Sequence, residues 1–219
     1  MKTIVLSSLI AASALTPTIN AAPATLLEIA GATWPAARLS NSVLIIVDAQ
    51  REYDEGKLPL SGISDAVSNI ANLLTRARAA GTPIIHVVQQ SPKNRPIFAE
   101  GSPMTEIFPA LTPRAGETVI SKQLPNSFAG TSLDATLKTL KHQNVIVVGF
   151  MTHMCVSATA RSALDHGYHC TVVANCCATR DLPDGLGGTI PAADVHRVEL
   201  AALRDRFANV VTTVAEIHD

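Results

Sequence analysis

The sequence predicts an α/β fold built on a parallel sheet, and three observations carry that reading. Short runs rich in β-branched residues recur along the chain and alternate with stretches of helical apolar spacing. The runs are apolar at consecutive positions, as in Val43 to Val47 and Val145 to Val148, which is the mark of strands covered on both faces. Alternating strands and helices make βαβ units with right-handed crossovers and therefore a parallel sheet. The chain has 219 residues, 47% of them hydrophobic and only 4% aromatic, which suits one domain with small side chains packed closely between helices and sheet.

In chain order, Thr25 to Gly31 reads as a short segment packed on the outside. Val43 to Val47 is the first strand and Asp48 ends it. Ser64 to Ala80 carries Val67, Ile70, Leu73, Leu74 and Ala77 at helical spacing, with Gly81 closing the helix. Pro83 to Val88 is the second strand, and Gln89 to Glu117 is a long, proline-rich loop of the kind that shapes binding sites. Thr118 to Ser121 is a short strand with Lys122 at its carboxyl end, and Thr131 or Ser132 caps a helix reaching about Lys141. Val145 to Val148 is the next strand. Gly149 ends it, and a helix runs from Thr152 to about His166. His169 to Ala174 is the fifth strand, Asn175 to Thr189 a loop, Pro191 to Phe207 a helix and Asn209 to Thr212 the last strand.

In open sheets of this type ligands sit outside the carboxyl ends of the strands. Asp48, Lys122 and Cys155 each fall at or just past the carboxyl end of a different strand. Cys155 is placed in the first turn of a helix, where unpaired N–H groups and the helix dipole lower a thiol pKa and favour the nucleophilic thiolate. Asp48 is positioned to take the thiol proton, and Lys122 to stabilise carboxylate and thiolate alike. Backbone N–H groups between Gly149 and Cys155 would hold an oxyanion. The combination is that of acyl transfer through a thioester. The alternative is a salt bridge at the strand ends and a small buried cysteine. His153 lies two residues from Cys155, and i and i+2 do not face each other on a helix, so it is not the base. His196 reads as structural.

The histidines and cysteines show no ligand spacing, so no metal or other cofactor is expected. The net charge of −1 with no run of one sign argues against nucleic acid and against a polybasic membrane patch; the expected partner is a small-molecule substrate. Lys2, the apolar stretch Ile4 to Leu15 and Asn20-Ala21-Ala22 resemble a secretory signal peptide occupying residues 1–22, too short to remain as a membrane span. That places residues 23–219 in the periplasm or outside the cell; a cytoplasmic protein with an alanine-rich extension is the alternative. The four cysteines give no disulfide framework, since Cys170 and Cys176 would lie roughly 20 Å apart along one strand, and free thiols weigh mildly against export.

Three blocks together resemble the isochorismatase-like cysteine hydrolases: Asp48-Ala-Gln50 with Glu52-Tyr53, Lys122 with Ser127-Phe128 and Gly130-Thr131, and Val148 to Val156. Asp165 to Tyr168 and Ala178 to Pro183 extend the likeness, which runs from about Ser42 to the end. The resemblance implies a Rossmann-like three-layer sandwich with a six-stranded, mainly parallel sheet. It implies a catalytic triad of Asp48, Lys122 and Cys155, and a cis peptide between Phe150 and Met151 that turns the Met151 N–H toward that of Cys155 as an oxyanion hole. It assigns Gln50, Tyr53, Phe128 and Phe150 to the substrate pocket, although the three aromatics also suit a core. Homo-oligomers are common among such proteins and one is expected here. Relatives acting on nicotinamide carry metal-binding histidines after the first strand. This chain has Glu52-Tyr-Asp-Glu55 instead, which speaks against that activity. The cysteine favours C–N hydrolysis of a small amide, imide or ureide over vinyl-ether cleavage of isochorismate. A non-catalytic binder or redox-sensing thiol protein is the remaining alternative. Cys176 and Cys177 have no functional account.

Overall fold

The computed structural model describes residues 23–219. The signal-peptide reading of residues 1–22 lies outside the described residues.

Six strands form one parallel sheet: β1 (Ser42–Val47), β2 (Ile84–Gln89), β3 (Thr118–Lys122), β4 (Asn144–Phe150), β5 (His169–Ala178) and β8 (Asn209–Val211). Their order is β3-β2-β1-β4-β5-β8 and every pairing is parallel. The chain therefore winds outward from β1 to β3, returns to the middle, and winds outward the other way from β4. The α/β three-layer sandwich is as expected.

Period-two geometry explains how apolar strands serve two cores. On β1, Leu44 and Ile46 face one layer while Val43, Ile45 and Val47 face the other. β4 repeats this with Ile146, Val148 and Phe150 on the first face and Val145 and Val147 on the second. Helix α2 (Ile63–Ala80) covers the first face through Ile63, Ala66, Ile70, Leu73, Leu74 and Ala77, and ends at Gly81 with φ of 71°. Helices α3 (Leu133–Leu140), α4 (Ser157–Asp165) and α5 (Ala192–Arg206) cover the second. No α-helix forms between β2 and β3, only two short 3-10 turns, Pro103–Thr105 and Pro109–Leu111. Phe98, Phe108 and Leu111 of that long loop join the first core in its place. Helix α1 (Leu26–Ile29) is closed by a Thr25–Glu28 capping box and is tied to α5 by the Leu26 N–H, 2.8 Å from Asp205 Oδ1.

Two expectations need correction. The stretch from Thr152 is not α-helical at its start: Thr152–Val156 is a π turn, and α4 begins only at Ser157. β5 also runs on through Cys176 and Cys177 to Ala178, where a loop was expected. Its pairing with β4 slips between Val147 and Gly149, so that Gly149 faces Cys177, and periodicity alone does not announce such an irregularity. The remaining loop holds a small hairpin of β6 (Leu182–Pro183) and β7 (Thr189–Ile190). All four cysteines are buried free thiols.

Candidate active site

The winding direction reverses between β1 and β4, and the crevice at that switch point is where such sheets hold ligands. Asp48 follows β1, and its N–H donates to Val87 O at 2.8 Å. Its φ of 50° is left-handed, a conformation that aspartate tolerates better than most residues. Cys155 comes from the π turn after β4, closed by the Val156 N–H donating to Met151 O at 3.2 Å. Lys122 ends β3, two strands from β1 and hence roughly 10 Å away at the backbone. Only a long side chain bridges that gap.

The three groups meet. Lys122 Nζ lies 2.7 Å from Asp48 Oδ2 and 3.3 Å from Cys155 Sγ. Asp48 is 0% exposed, Lys122 2% and Cys155 6%. Neither Asp48 oxygen has an aligned hydrogen bond, so the ammonium neutralises the carboxylate without occupying its lone pairs. Burial pushes the Asp48 carboxyl above its ordinary range, against the pull of Lys122. Burial first, and the Asp48 carboxylate second, push the Cys155 thiol up to about 12, with Lys122 opposing. The thiol pKa lowered by a helix terminus, expected from the sequence, is thus reversed: α4 starts two residues later, and desolvation dominates. The site rests as a protonated thiol beside a base whose own affinity for a proton is raised.

The peptide between Phe150 and Met151 is cis, and Gly149 has φ of 118°. A Cβ at Gly149 would sit 2.0 Å from Val47 O, so the close approach of β4 to β1 requires glycine.

The residues assigned to the substrate pocket fare differently. Gln50 is 0% exposed and its amide is spent on the backbone: Nε2 donates to Gln89 O at 3.0 Å and Thr105 O at 2.8 Å, and Oε1 accepts the Gln89 N–H at 2.8 Å. Fully buried, with both N–H donors spent, it ties β2 to the loop that follows it. Phe128 belongs to the second core, stacked on His166 at 4.7 Å between ring centres. Phe150 is fully buried, and Tyr53 packs edge-on against it at 5.8 Å, both in the first core. Tyr53 remains near the chemistry, since burial and then the charges of Asp48 and Cys155 hold its hydroxyl well above its ordinary pKa. His153 Nδ1 meets Thr179 Oγ1 at 2.5 Å, and His196 Nδ1 meets Thr152 Oγ1 at 2.9 Å, bracing the turn as structural histidines do.

Gln89, which ends β2, was not singled out in the sequence. Its Oε1 accepts from Lys122 Nζ at 2.7 Å. The rule that selected Asp48 and Lys122, a polar residue at the carboxyl end of a strand, applies equally to Gln89. A cleft of about 640 Å³ borders Lys122, with Gln90, Ser91, Glu100 and Gln123 in its wall. The β2–β3 loop thus shapes it, as expected. Asn175 and Cys177 of β5, with Thr179 just after it, line a second cleft of about 510 Å³.

Among the described residues no three His, Cys, Asp or Glu side chains cluster as a metal site. After β1, Glu52 accepts the Lys57 N–H at 2.7 Å and Glu55 pairs with Arg51 at 2.6 Å.

A family model described as the isochorismatase domain matches residues 42–215. The chain belongs to the isochorismatase family. A secreted isochorismatase effector of Verticillium dahliae is 41% identical over 177 residues, covering 81% of this chain and 90% of that protein. Maleamate amidohydrolase of Pseudomonas putida is 30% identical over 185 residues, covering 77% and 82%. The crystal structure of an isochorismatase from Pseudomonas putida superposes with a TM-score of 0.86 at 45% identity, covering 90% of this chain and 100% of the other. Membership of the isochorismatase family carries a hydrolase role, and the family includes amidohydrolases that act on C–N bonds.

Proposed function

We propose that this isochorismatase-family protein hydrolyses a C–N bond of a small amide, imide or ureide through a thioester on Cys155, without a metal. The observation that carries the reading is the contact of Lys122 Nζ with both Asp48 Oδ2 and Cys155 Sγ, at 2.7 and 3.3 Å.

Asp48 takes the thiol proton as Sγ attacks the carbonyl carbon, so that thiolate and free carboxylate need not coexist in a dry site. The backbone N–H groups of Met151 and Cys155 receive the oxyanion. The tetrahedral centre collapses, the C–N bond breaks, and Asp48 passes its proton to the leaving nitrogen. Asp48 then deprotonates a water that attacks the thioester, and the acid leaves as the thiol regains its proton. Lys122 keeps the cluster at constant charge throughout. The name of the 30% identical relative, an amidohydrolase, supports this class.

A second reading, vinyl-ether hydrolysis of isochorismate, is favoured by the 41% identical effector. That relative and the N-terminal sequence also support a secreted or periplasmic protein, and we take the working form to be a homo-oligomer. The deciding experiment is an ammonia-release screen over small amides and ureides with isochorismate assayed alongside, using Cys155→Ala as control. Ammonia release lost in the variant is the expected result. Turnover of isochorismate alone, or full activity in Cys155→Ala, would overturn the amidase reading.

A further inference from the structure

An ammonium has three N–H donors and no acceptor. Lys122 Nζ faces three partners: Asp48 Oδ2 at 2.7 Å, Gln89 Oε1 at 2.7 Å and Cys155 Sγ at 3.3 Å. Two donors are hydrogen-bonded to Gln89 and Cys155 and the charge is paired with Asp48, so the ammonium is engaged inside the protein on three sides. Two of the partners change charge in an acyl transfer. The third, Gln89, cannot.

Gln89 is itself held on every side. Its Nε2 donates to Gln123 O at 3.1 Å, which fixes the amide with its oxygen toward the ammonium. Its backbone is gripped by the buried Gln50, which accepts the Gln89 N–H at 2.8 Å and donates to Gln89 O at 3.0 Å. Gln89 also sits opposite Lys122 in the register of β2 with β3, so its side chain bridges the strand that separates the two charged residues.

We propose that Gln89 is a positioning residue: its amide oxygen anchors the Lys122 ammonium between Asp48 and Cys155, and its neutrality leaves the whole positive charge to those two groups. A carboxylate of the same shape would share the ammonium and set a second negative charge beside the sulfur. An apolar side chain of the same length would leave one N–H unpaired and free the ammonium to swing. The effect on turnover rests on the hydrolase reading; the effect on the thiol does not.

The experiment compares Gln89→Glu and Gln89→Met with the unaltered protein, measuring alkylation of Cys155 by iodoacetamide at pH 9, read by mass spectrometry of the peptide carrying it. Gln89→Glu is expected to slow alkylation by about tenfold or more, the size expected for a carboxylate placed within about 5 Å at intermediate dielectric. Gln89→Met is expected to change it by less than Gln89→Glu does. On any amide found to be a substrate, both should lower kcat with KM nearly unchanged, because the Gln89 amide is committed to Lys122 and Gln123. Alkylation at the original rate in folded Gln89→Glu overturns the proposal; if that variant does not fold, unchanged kcat or unchanged alkylation in Gln89→Met does so. Slowed alkylation in a protein that turns over no amide would sustain the role of Gln89 and remove the amidase reading alone.

Discussion

Two clusters in this protein, one buried and one half-buried, contain nearly the same groups and treat them in opposite ways. At the switch point, Asp48, Lys122 and Cys155 combine a carboxylate, a cation and a third titratable group. Where α2 meets β2 and the start of β3, Arg78, His86 and Glu117 do the same. Glu117 is saturated with donors: Arg78 Nε at 2.7 Å and Nη2 at 3.0 Å, the Arg114 N–H at 3.0 Å and His86 Nε2 at 2.8 Å. Burial pushes its carboxyl up, but those hydrogen bonds outweigh it and bring the pKa to about 2. Asp48 has an ammonium at the same distance and no aligned donor, and its carboxyl is raised. A guanidinium fork plus ring and backbone N–H groups locks a charge in place. A single ammonium off the hydrogen-bond axis leaves the carboxyl open to a proton. One cluster stores charge, and the other, in the proposed mechanism, moves it.

The sharpest break of this contrast is at the switch-point cluster. Cys155→Ala and Asp48→Asn should each lower turnover by about 10³-fold or more in a steady-state assay on whichever substrate the screen identifies. Retention of a tenth of the activity in Asp48→Asn would remove it as the base. Lys122→Met should cost about 100-fold, and the acid limb of kcat/KM should move to higher pH, because the Asp48 carboxyl loses the one charge that holds its pKa down.

Glu117→Gln should do the reverse, costing about 2–4 kcal/mol in urea unfolding at pH 7 by leaving Arg78 without its partner, while kcat stays within about twofold. Its pH dependence follows from the direction of the shift. Glu117 has a folded pKa near 2, below the ordinary 4.5, so its stabilisation is complete above pH 4.5 and fades as the pH falls toward 2. His86, lowered from 6.5 chiefly by burial, acts in the same direction, its stabilisation fading as the pH drops below 6.5. The difference between Glu117→Gln and the unaltered protein should therefore shrink in unfolding curves taken from pH 5 to 2.5; a constant gap would mean that Glu117 does not hold its charge as described. The smallest effect is expected at Phe128→Leu, about 1–2 kcal/mol of stability with KM within twofold, as befits a core ring. A large KM effect would return Phe128 to the substrate pocket.

The architecture was legible because its signals are local and redundant. Continuous apolar strands, a helix closed by Gly81 and polar residues at strand ends each carry their own physical reason, and together they placed Asp48, Lys122 and Cys155 in one crevice. What escaped depends on geometry that no short window holds. The π turn replaces an α turn with the same residues, and the slipped register between Gly149 and Cys177 extends β5 past its apolar run. The direction of the Cys155 shift is decided by burial, which spacing does not reveal. Gln50 and Phe128 carry side chains suited to a pocket, and only tertiary contacts show that the backbone and the core claim them. Gln89 satisfies the rule that marks its neighbours, but an uncharged amide does not stand out as chemistry.

Gly149 sets the spacing between the strand that delivers the carboxyl group and the one that delivers the sulfur. With the nearest carbonyl 2.0 Å from where a methyl would start, even alanine has nowhere to go. A library randomised at this codon and selected for activity should return glycine alone, whereas the same library at Val148 should admit isoleucine. The separation of the sulfur from the carboxyl group is thus set by a missing atom, and no repair elsewhere in the chain can lengthen it without parting the two central strands.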